Sequence, residues 1–337
     1  MRALARGGWS LFTVLASMAI AAPGLGAGDE RRVGERGARD PVGQSSAPIA
    51  RPEAVKVLDD RNRSIELEGP ALRIISLAPH ASDLVVALGA ADRLVAVDPH
   101  SDAPQIGSTV ARVAAYPSLD PERLLALKPD LVLVWGEGMP APTLARLESL
   151  GLRVFVTAPR TLDQVASSLE RLARLIDAPR DAKAIAARVR DRLAAIRARY
   201  ATGPELPVFV QLWEMPLITI GAGSMLDDAL RHCGARNVFA AVQAGSQRVS
   251  PEAVLAAAPA LVISTAVGST DAAWRRLGLV GEGSGKARFV RVIDPVLERP
   301  SPPVLDALER LCEVINRERS TQMAWRSSRV PPDSKSR

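Results

Sequence analysis

Apolar and polar positions along this chain fall into blocks whose period changes. Arg73-Ile74-Ile75-Ser76-Leu77, Leu94-Val95-Ala96-Val97, Leu131-Val132-Leu133-Val134-Trp135 and Val154-Phe155-Val156 are short apolar runs. The third is unbroken, as a parallel strand buried on both faces requires. Helical signals lie between them. Residues 83–88 read as a helix after Pro79 stops the first strand. Asp120 caps a short helix that starts at Pro121 and ends before Pro129, and residues 143–150 form a helix closed by Gly151. This alternation predicts a doubly wound parallel sheet. Upstream, residues 54–67 carry two alternating runs, Val55/Val57 and Ile65/Leu67, around Asp59-Asp60-Arg61-Asn62, which is the pattern of a hairpin.

The pattern then turns helical for a long stretch. Thr161 with Gln164 three positions on forms a capping box. After Pro179, Ile185, Val189, Leu193, Ile196 and Tyr200 make one apolar stripe flanked by Arg and Asp. Residues 161–202 therefore read as a rigid helical connector. Gly203-Pro204 ends it, and strands return at residues 208–212, 261–264 and 289–293. The helices of this second half span residues 225–233, the segment from Pro251 capped by Ser250, and residues 304 to about 317 after Pro302-Pro303. Residues 320–337 are polar and Pro- and Arg-containing, and are expected to be disordered.

A pattern recurs. Leu119-Asp120-Pro121-Glu122, Leu125-Ala126 and Pro129-Asp130-Leu131-Val132 match Val249-Ser250-Pro251-Glu252, Leu255-Ala256 and Pro259-Ala260-Leu261-Val262 at constant offset. Leu88-Gly89-Ala90-Ala91-Asp92-Arg93-Leu94 echoes Cys233-Gly234-Ala235-Arg236-Asn237-Val238-Phe239. Two copies of one supersecondary unit predict two α/β lobes, residues 54–160 and 203–319, with a ligand cleft between them. Each lobe carries one acid at an equivalent place, Glu122 and Glu252.

Composition narrows the function. The net charge of +6 comes from basic residues scattered among acidic ones, with no basic stripe and few aromatics, 4%. Nucleic-acid binding is not expected. Arg2 and Arg6 precede an apolar stretch, residues 9–22, and small residues follow to Ala27. That order predicts a cleavable secretory signal over residues 1–27 and hence a periplasmic protein, with a flexible leader over 28–53. A membrane anchor is the alternative, but the run is short for a bilayer and breaks at Pro23-Gly24. The two cysteines, Cys233 and Cys312, read as one disulfide in an oxidising compartment, or else as two buried thiols.

The run 73–79, then Ala87-Leu88-Gly89-Ala90 and residues 94–98, resembles the solute-binding proteins of bacterial ABC importers for cobalamin, haem and iron-siderophores. Residues 124–135, Trp213-Glu214-Met215-Pro216-Leu217 with Gly221 and Ser224, and Arg299-Pro300-Ser301-Pro302 continue the likeness. It spans about residues 73–317 and is nearest to the cobalamin-binding members. The resemblance implies two lobes on one rigid helix and a monomeric receptor that performs no catalysis. Its partners would be a permease dimer and the ATPase subunits that drive it. It implies that Glu122 and Glu252 meet Arg residues of the two permease subunits, and it matches Cys233 and Cys312 to a disulfide. It also matches Tyr116 and Trp135 to ligand-contacting aromatics, Asp294 and Arg299 to an acid and a base at the ligand, and His100 to a Tyr. No cofactor is expected, because the chelate is the cargo.

Ligands of open α/β sheets bind beyond the carboxyl ends of the strands. That rule points to the loops holding His80, His100, Trp135, Trp213 and residues 294–299, and it suits flat apolar walls for a macrocycle. His80 or His100 is a possible axial ligand to cobalt or iron; exposed loop histidines are the plainer reading. Two aromatic positions of the cobalamin-binding members are here Ile218 and Ser246. The Tyr-Pro pair by which haem-binding relatives ligate iron is here Ala103-Pro104. Haem or a ferric siderophore stands as the second ligand class. Zinc or manganese would need more His, Asp or Glu near the cleft. An enzyme acting on the chelate is the alternative of another class, but the chain has no phosphate loop, G-x-S-x-G, H-E-x-x-H or Cys cluster. Gly221-Ala222-Gly223-Ser224 reads as a tight turn with Ser224 as a helix cap, and His232 as structural.

Overall fold

A computed structural model describes residues 54–115, 119–178, 180–242, 245–266, 268–283, 285–292 and 294–327. The expected signal peptide and leader lie outside the described residues, as do Tyr116 and residues 328–337 of the tail. Among the described residues no helix is long and apolar enough to cross a membrane.

The first half opens with a hairpin, β1 (Val55–Leu58) and β2 (Ser64–Leu67), paired antiparallel with Val55 opposite Leu67. There follow β3 (Ile74–Ser76), α1 (Pro79–Ala87), β4 (Leu94–Val97), β5 (Ala111–Arg112), α2 (Pro121–Ala126), β6 (Leu131–Trp135), α3 (Ala141–Ser149) and β7 (Val154–Thr157). Strands β3 to β7 make one five-stranded parallel sheet in the order β5-β4-β3-β6-β7. Helix α1 starts a turn earlier than the sequence pattern suggests. Pro79, expected only as a strand stop, sits in its first turn, where a missing N–H costs nothing. His80 is therefore a helix residue, not a loop residue.

Then come α4 (Leu162–Ile176), α5 (Ala182–Tyr200), β8 (Leu206–Gln211), β9 (Ile218–Ile220), α6 (Met225–His232), β10 (Ala235–Asn237), β11 (Ser246–Arg248), α7 (Pro251–Ala257), β12 (Leu261–Ser264), α8 (Ala272–Arg276), β13 (Arg288–Arg291) and α9 (Val304–Ser327). The second parallel sheet runs β10-β8-β12-β13. The repeated segments occupy matching places. Helices α2 and α7 precede β6 and β12, each beside the first strand of its own sheet, β3 or β8. The echo around Leu94 and Asn237 feeds β4 and β10, on the other side of that strand.

Alternation along the strands divides the core. Ile74, Leu131, Leu133 and Phe155 of the first sheet join Val208, Val210, Leu261 and Ile263 of the second in one cluster with α1, α4, α5, α6 and α9. Ile75, Val132, Val134, Val154 and Val156 face the other way onto α2 and α3, and Phe209 and Val262 face α7 and Trp274. Both sheets are thus covered on both faces, as parallel sheets require. In the connecting stretch, α4 and α5 lie side by side. Arg190 on α5 donates to both carboxylate oxygens of Glu170 on α4 at 2.9 and 3.1 Å. The capping box at Thr161 and Gln164 is formed, and Val189, Leu193, Ile196 and Tyr200 form the buried stripe of α5.

The C-terminal helix runs to Ser327, past the Ser320 at which disorder was expected. The reason is a buried cation. Arg319 donates to the carbonyls of Tyr200 (2.9 Å), Cys233 (2.6 Å) and Gly234 (2.8 Å), at the C-terminal ends of α5 and α6. Those ends carry unsatisfied carbonyls and the negative pole of the helix dipole, which a guanidinium satisfies. Gln322 donates to the Ala260 carbonyl at 2.7 Å and fixes the next turn. Cys233 and Cys312 form a disulfide between the end of α6 and α9.

Candidate functional site

A cleft of about 730 Å³ lies at the carboxyl ends of both sheets. That volume is within the range of about 300–1,000 Å³ usual for small-molecule sites. From the first half it is lined by residues after β3 (Leu77, His80) and β4 (Asp98, His100), at and after the end of β6 (Trp135, Glu137, Met139), and after β7 (Arg160). From the second it is lined by Leu212 after β8, Met225 at the start of α6, Ser246 on β11, and Glu298 and Arg299 after β13. The loops that the strand-end rule names on the sequence all contribute to the lining of this cleft.

Trp135 forms the flat wall. It closes β6 and is 43% exposed, so its indole is open to the cleft although the strand behind it is buried. Two features fix the ring. His80 meets it edge-on, centroids 6.5 Å apart, and the ring lies against Gly138, where a Cβ would come within 2.4 Å of it. The turn is braced from behind by the hairpin. Arg61 donates to the Gly136 carbonyl, and Asp60 accepts from the Ala158 N–H at 2.6 Å.

His80 is 4% exposed, and its Nε2 lies 3.1 Å from the Thr157 hydroxyl. Burial, with the nearby Arg299 cation second, pushes its pKa down to about 4. The imidazole is thus neutral and committed to Thr157, unlike the exposed loop histidine of the plainer sequence reading. Because the folded pKa lies below the unfolded value near 6.5, the unfolded chain binds the extra proton first as pH falls. Stability is lost between about pH 6.5 and pH 4, by about 3 kcal/mol for this one group. His80→Gln should flatten that part of the stability–pH curve, measured by urea unfolding at pH 7 and pH 4.5. An unchanged slope would contradict the assignment.

His100 is the opposite case. Its side chain is 82% exposed, and its Nδ1 lies 3.1 Å from Asp98 Oδ1. Arg299 reaches from the second half to Asp102 in the first, with Nη1–Oδ1 of 2.7 Å. Ser301 donates to the buried Asp83 at 2.9 Å across the same divide. Burial raises the Asp83 carboxyl, partly offset by the Ser301 bond. Glu298 was not foreseen. It faces the cleft, and the enclosing walls alone raise its carboxyl above the usual range.

The other sequence candidates are placed as follows. Asp294 does not line the cleft: it accepts from the Val296 N–H at 3.1 Å and pairs with Arg310 at 2.6 Å. Trp213 is 58% exposed, donates to the Met215 carbonyl at 3.0 Å, and is not among the cleft-lining residues, whereas Leu212 beside it is. Ala114 and Ala115, just before Tyr116, line the cleft. Glu122 and Glu252 both sit in first helical turns, on α2 and α7. Glu122 is exposed, with Arg146 3.9 Å away. Glu252 is exposed too, its carboxyl held low by its own backbone N–H and then by the Ser250 hydroxyl. Ser224 caps α6, accepting from the Asp227 N–H at 3.1 Å. Among the described residues no three His, Cys, Asp or Glu side chains gather as a metal site would need.

Comparison with known proteins agrees with this geometry. Residues 74–273 match the profile of the family described as periplasmic binding protein. A vitamin B12-binding protein of Vibrio vulnificus is 32% identical over 252 residues, 74% of this chain and 92% of its own length. One of Vibrio cholerae serotype O1 is 36% identical over 244 residues, 72% and 88%. The crystal structure of the periplasmic vitamin B12 binding protein BtuF of Vibrio cholerae superposes with a TM-score of 0.65 at 33% identity, covering 74% of this chain and 98% of that one. A periplasmic heme-binding protein, RhuT from Roseiflexus, gives 0.62 at 25% identity, with coverage of 73% and 98%. With two α/β halves, a cleft at their strand ends and this extent of likeness, the chain belongs to the periplasmic binding protein family.

Proposed function

We propose that this protein is the receptor of an ABC importer that captures a corrinoid, cobalamin (vitamin B12) as first choice, and delivers it to the permease. The observation that carries the reading is the cleft at the ends of both sheets, where the apolar surfaces of Trp135, Leu77, Met139 and Leu212 are interspersed with polar and charged groups such as His100, Glu298 and Arg299. A corrin ring needs flat apolar surface beneath it and scattered polar groups for its peripheral amides. The likeness to vitamin B12-binding proteins over nearly their whole length supports the same ligand class.

In this reading Trp135 and Tyr116 hold the macrocycle, and His80 positions Trp135. Arg299 and Glu298 meet the ring's amides, and Asp294 holds the Arg299 loop through its bonds to Val296 and Arg310. Trp213 shapes the hairpin beside Leu212. Residues 54–160 and 203–319 act as two lobes on the connector 161–202. Glu122 and Glu252 dock on Arg residues of a permease dimer worked by ATPase subunits. Residues 1–27 export the chain to the periplasm and are removed.

A second reading, haem or a ferric siderophore, is favoured by Arg160 and Arg299 in the cleft, since cations suit ligand carboxylates. Ala103 at the Tyr-Pro position speaks against iron ligation by that route. Calorimetric titration of the mature protein with cyanocobalamin, hemin and ferric siderophores decides between them. One-to-one binding of cyanocobalamin is expected. Its absence removes the first reading, and hemin binding in its place establishes the second.

A further inference from the structure

We infer that His100 is an axial ligand for the metal of the bound chelate, so that the cleft selects cobalt complexes whose outward coordination position holds a displaceable water. The inference rests on the reading of the cleft as a corrinoid site. It separates the two histidines that the sequence left equivalent. His80 is buried and spends Nε2 on Thr157. His100 lines the cleft and is mostly exposed.

The ring of His100 is held by one carboxylate oxygen. Asp98 Oδ1 lies 3.1 Å from Nδ1 and also accepts the His100 backbone N–H at 2.9 Å. A carboxylate oxygen is an acceptor, so the ring nitrogen facing it, Nδ1, is the donor, and Nε2 is the nitrogen left to offer a lone pair. A carboxylate-backed imidazole of this kind is how proteins orient and strengthen a metal-binding His. The loop beneath it is fixed as well. The Asp98 N–H donates to the Ser76 carbonyl at 2.8 Å, the Ser101 N–H donates to the Asp98 carbonyl at 3.0 Å, and the Ser101 and Ser82 hydroxyls lie 2.8 Å apart. Arg299 pairs with Asp102 in the same loop. The donor is therefore ordered before the ligand arrives.

The step is a ligand substitution. The cobalt–oxygen bond to water breaks, the Nε2 lone pair forms a cobalt–nitrogen bond, and the water leaves to solvent. Cobalt stays at +3, and no electron or proton is transferred. A cobalt that already carries cyanide on that face offers no such position.

Purified protein is titrated with aquocobalamin and with cyanocobalamin, following heat and absorbance together. Aquocobalamin should show a red shift of its near-ultraviolet and visible bands on binding, and cyanocobalamin none. In His100→Gln the shift should vanish and the ratio of the two affinities should collapse toward one. Asp98→Asn should keep the shift but weaken aquocobalamin binding by about 10- to 100-fold. Aquocobalamin bound without a shift, or a shift that persists in His100→Gln, overturns the inference and leaves the corrinoid reading standing. Binding of neither corrinoid overturns both.

Discussion

Replacing Glu122 and Glu252 together by alanine is expected to abolish corrinoid uptake by cells, while the purified variant should still bind its ligand. Neither residue lines the cleft, so capture does not depend on them. Both are exposed in the first turns of helices that lead into equivalent strands, β6 beside β3 and β12 beside β8, which is the placement the proposed docking on a permease dimer would use. Their intramolecular ties are weak. Glu122 has Arg146 at 3.9 Å between two exposed side chains, a pairing that contributes little in water. As exposed first-turn acids each adds little to its helix, so their loss should leave the chain folded. If each carboxylate meets a guanidinium on the proposed partner, losing both is expected to weaken docking by about 10²- to 10⁴-fold. Uptake of labelled cobalamin by cells carrying the double variant is the measurement. Uptake at the wild-type rate would show that docking uses another surface.

Converting Cys233 and Cys312 to alanine lowers unfolding stability by about 4 kcal/mol. The bond closes a loop whose ends are 79 residues apart, and a cross-link of that span removes about 4 kcal/mol of chain entropy from the unfolded state. Both cysteines are fully buried. Urea unfolding of the oxidised protein beside the double variant measures the difference. A loss under about 1 kcal/mol would mean that the unfolded chain keeps these segments together without the bond.

Much of this architecture was legible because its determinants are local. Strands β6 and β12 are apolar runs, and Asp120, Thr161, Ser224 and Ser250 announce their helices by capping. The duplicated segments lead into β6 and β12, one in each parallel sheet. What stayed hidden depends on atoms that the sequence does not spell. The C-terminal helix persists because Arg319 finds three carbonyls, and a backbone acceptor has no letter. The β9–β11 pair escaped because Ser246-Gln247-Arg248 has no apolar alternation. Start of α1 at Pro79 turned His80 from a solvent-facing loop residue into a buried brace for Trp135. Glu298 lies in the 294–299 loop that the sequence names, but only the facing walls give its carboxyl its character.

The contacts from Arg299 to Asp102 and from Ser301 to Asp83 span the floor where the two halves meet. In the proposed reading a guest would find a seat already tied across by these contacts, and little of its binding energy would go into drawing the sides together. Emptying that seat is the harder task. Spreading the halves would part an ion pair and strip a buried carboxyl of its hydroxyl donor, work that the proposed permease would have to do.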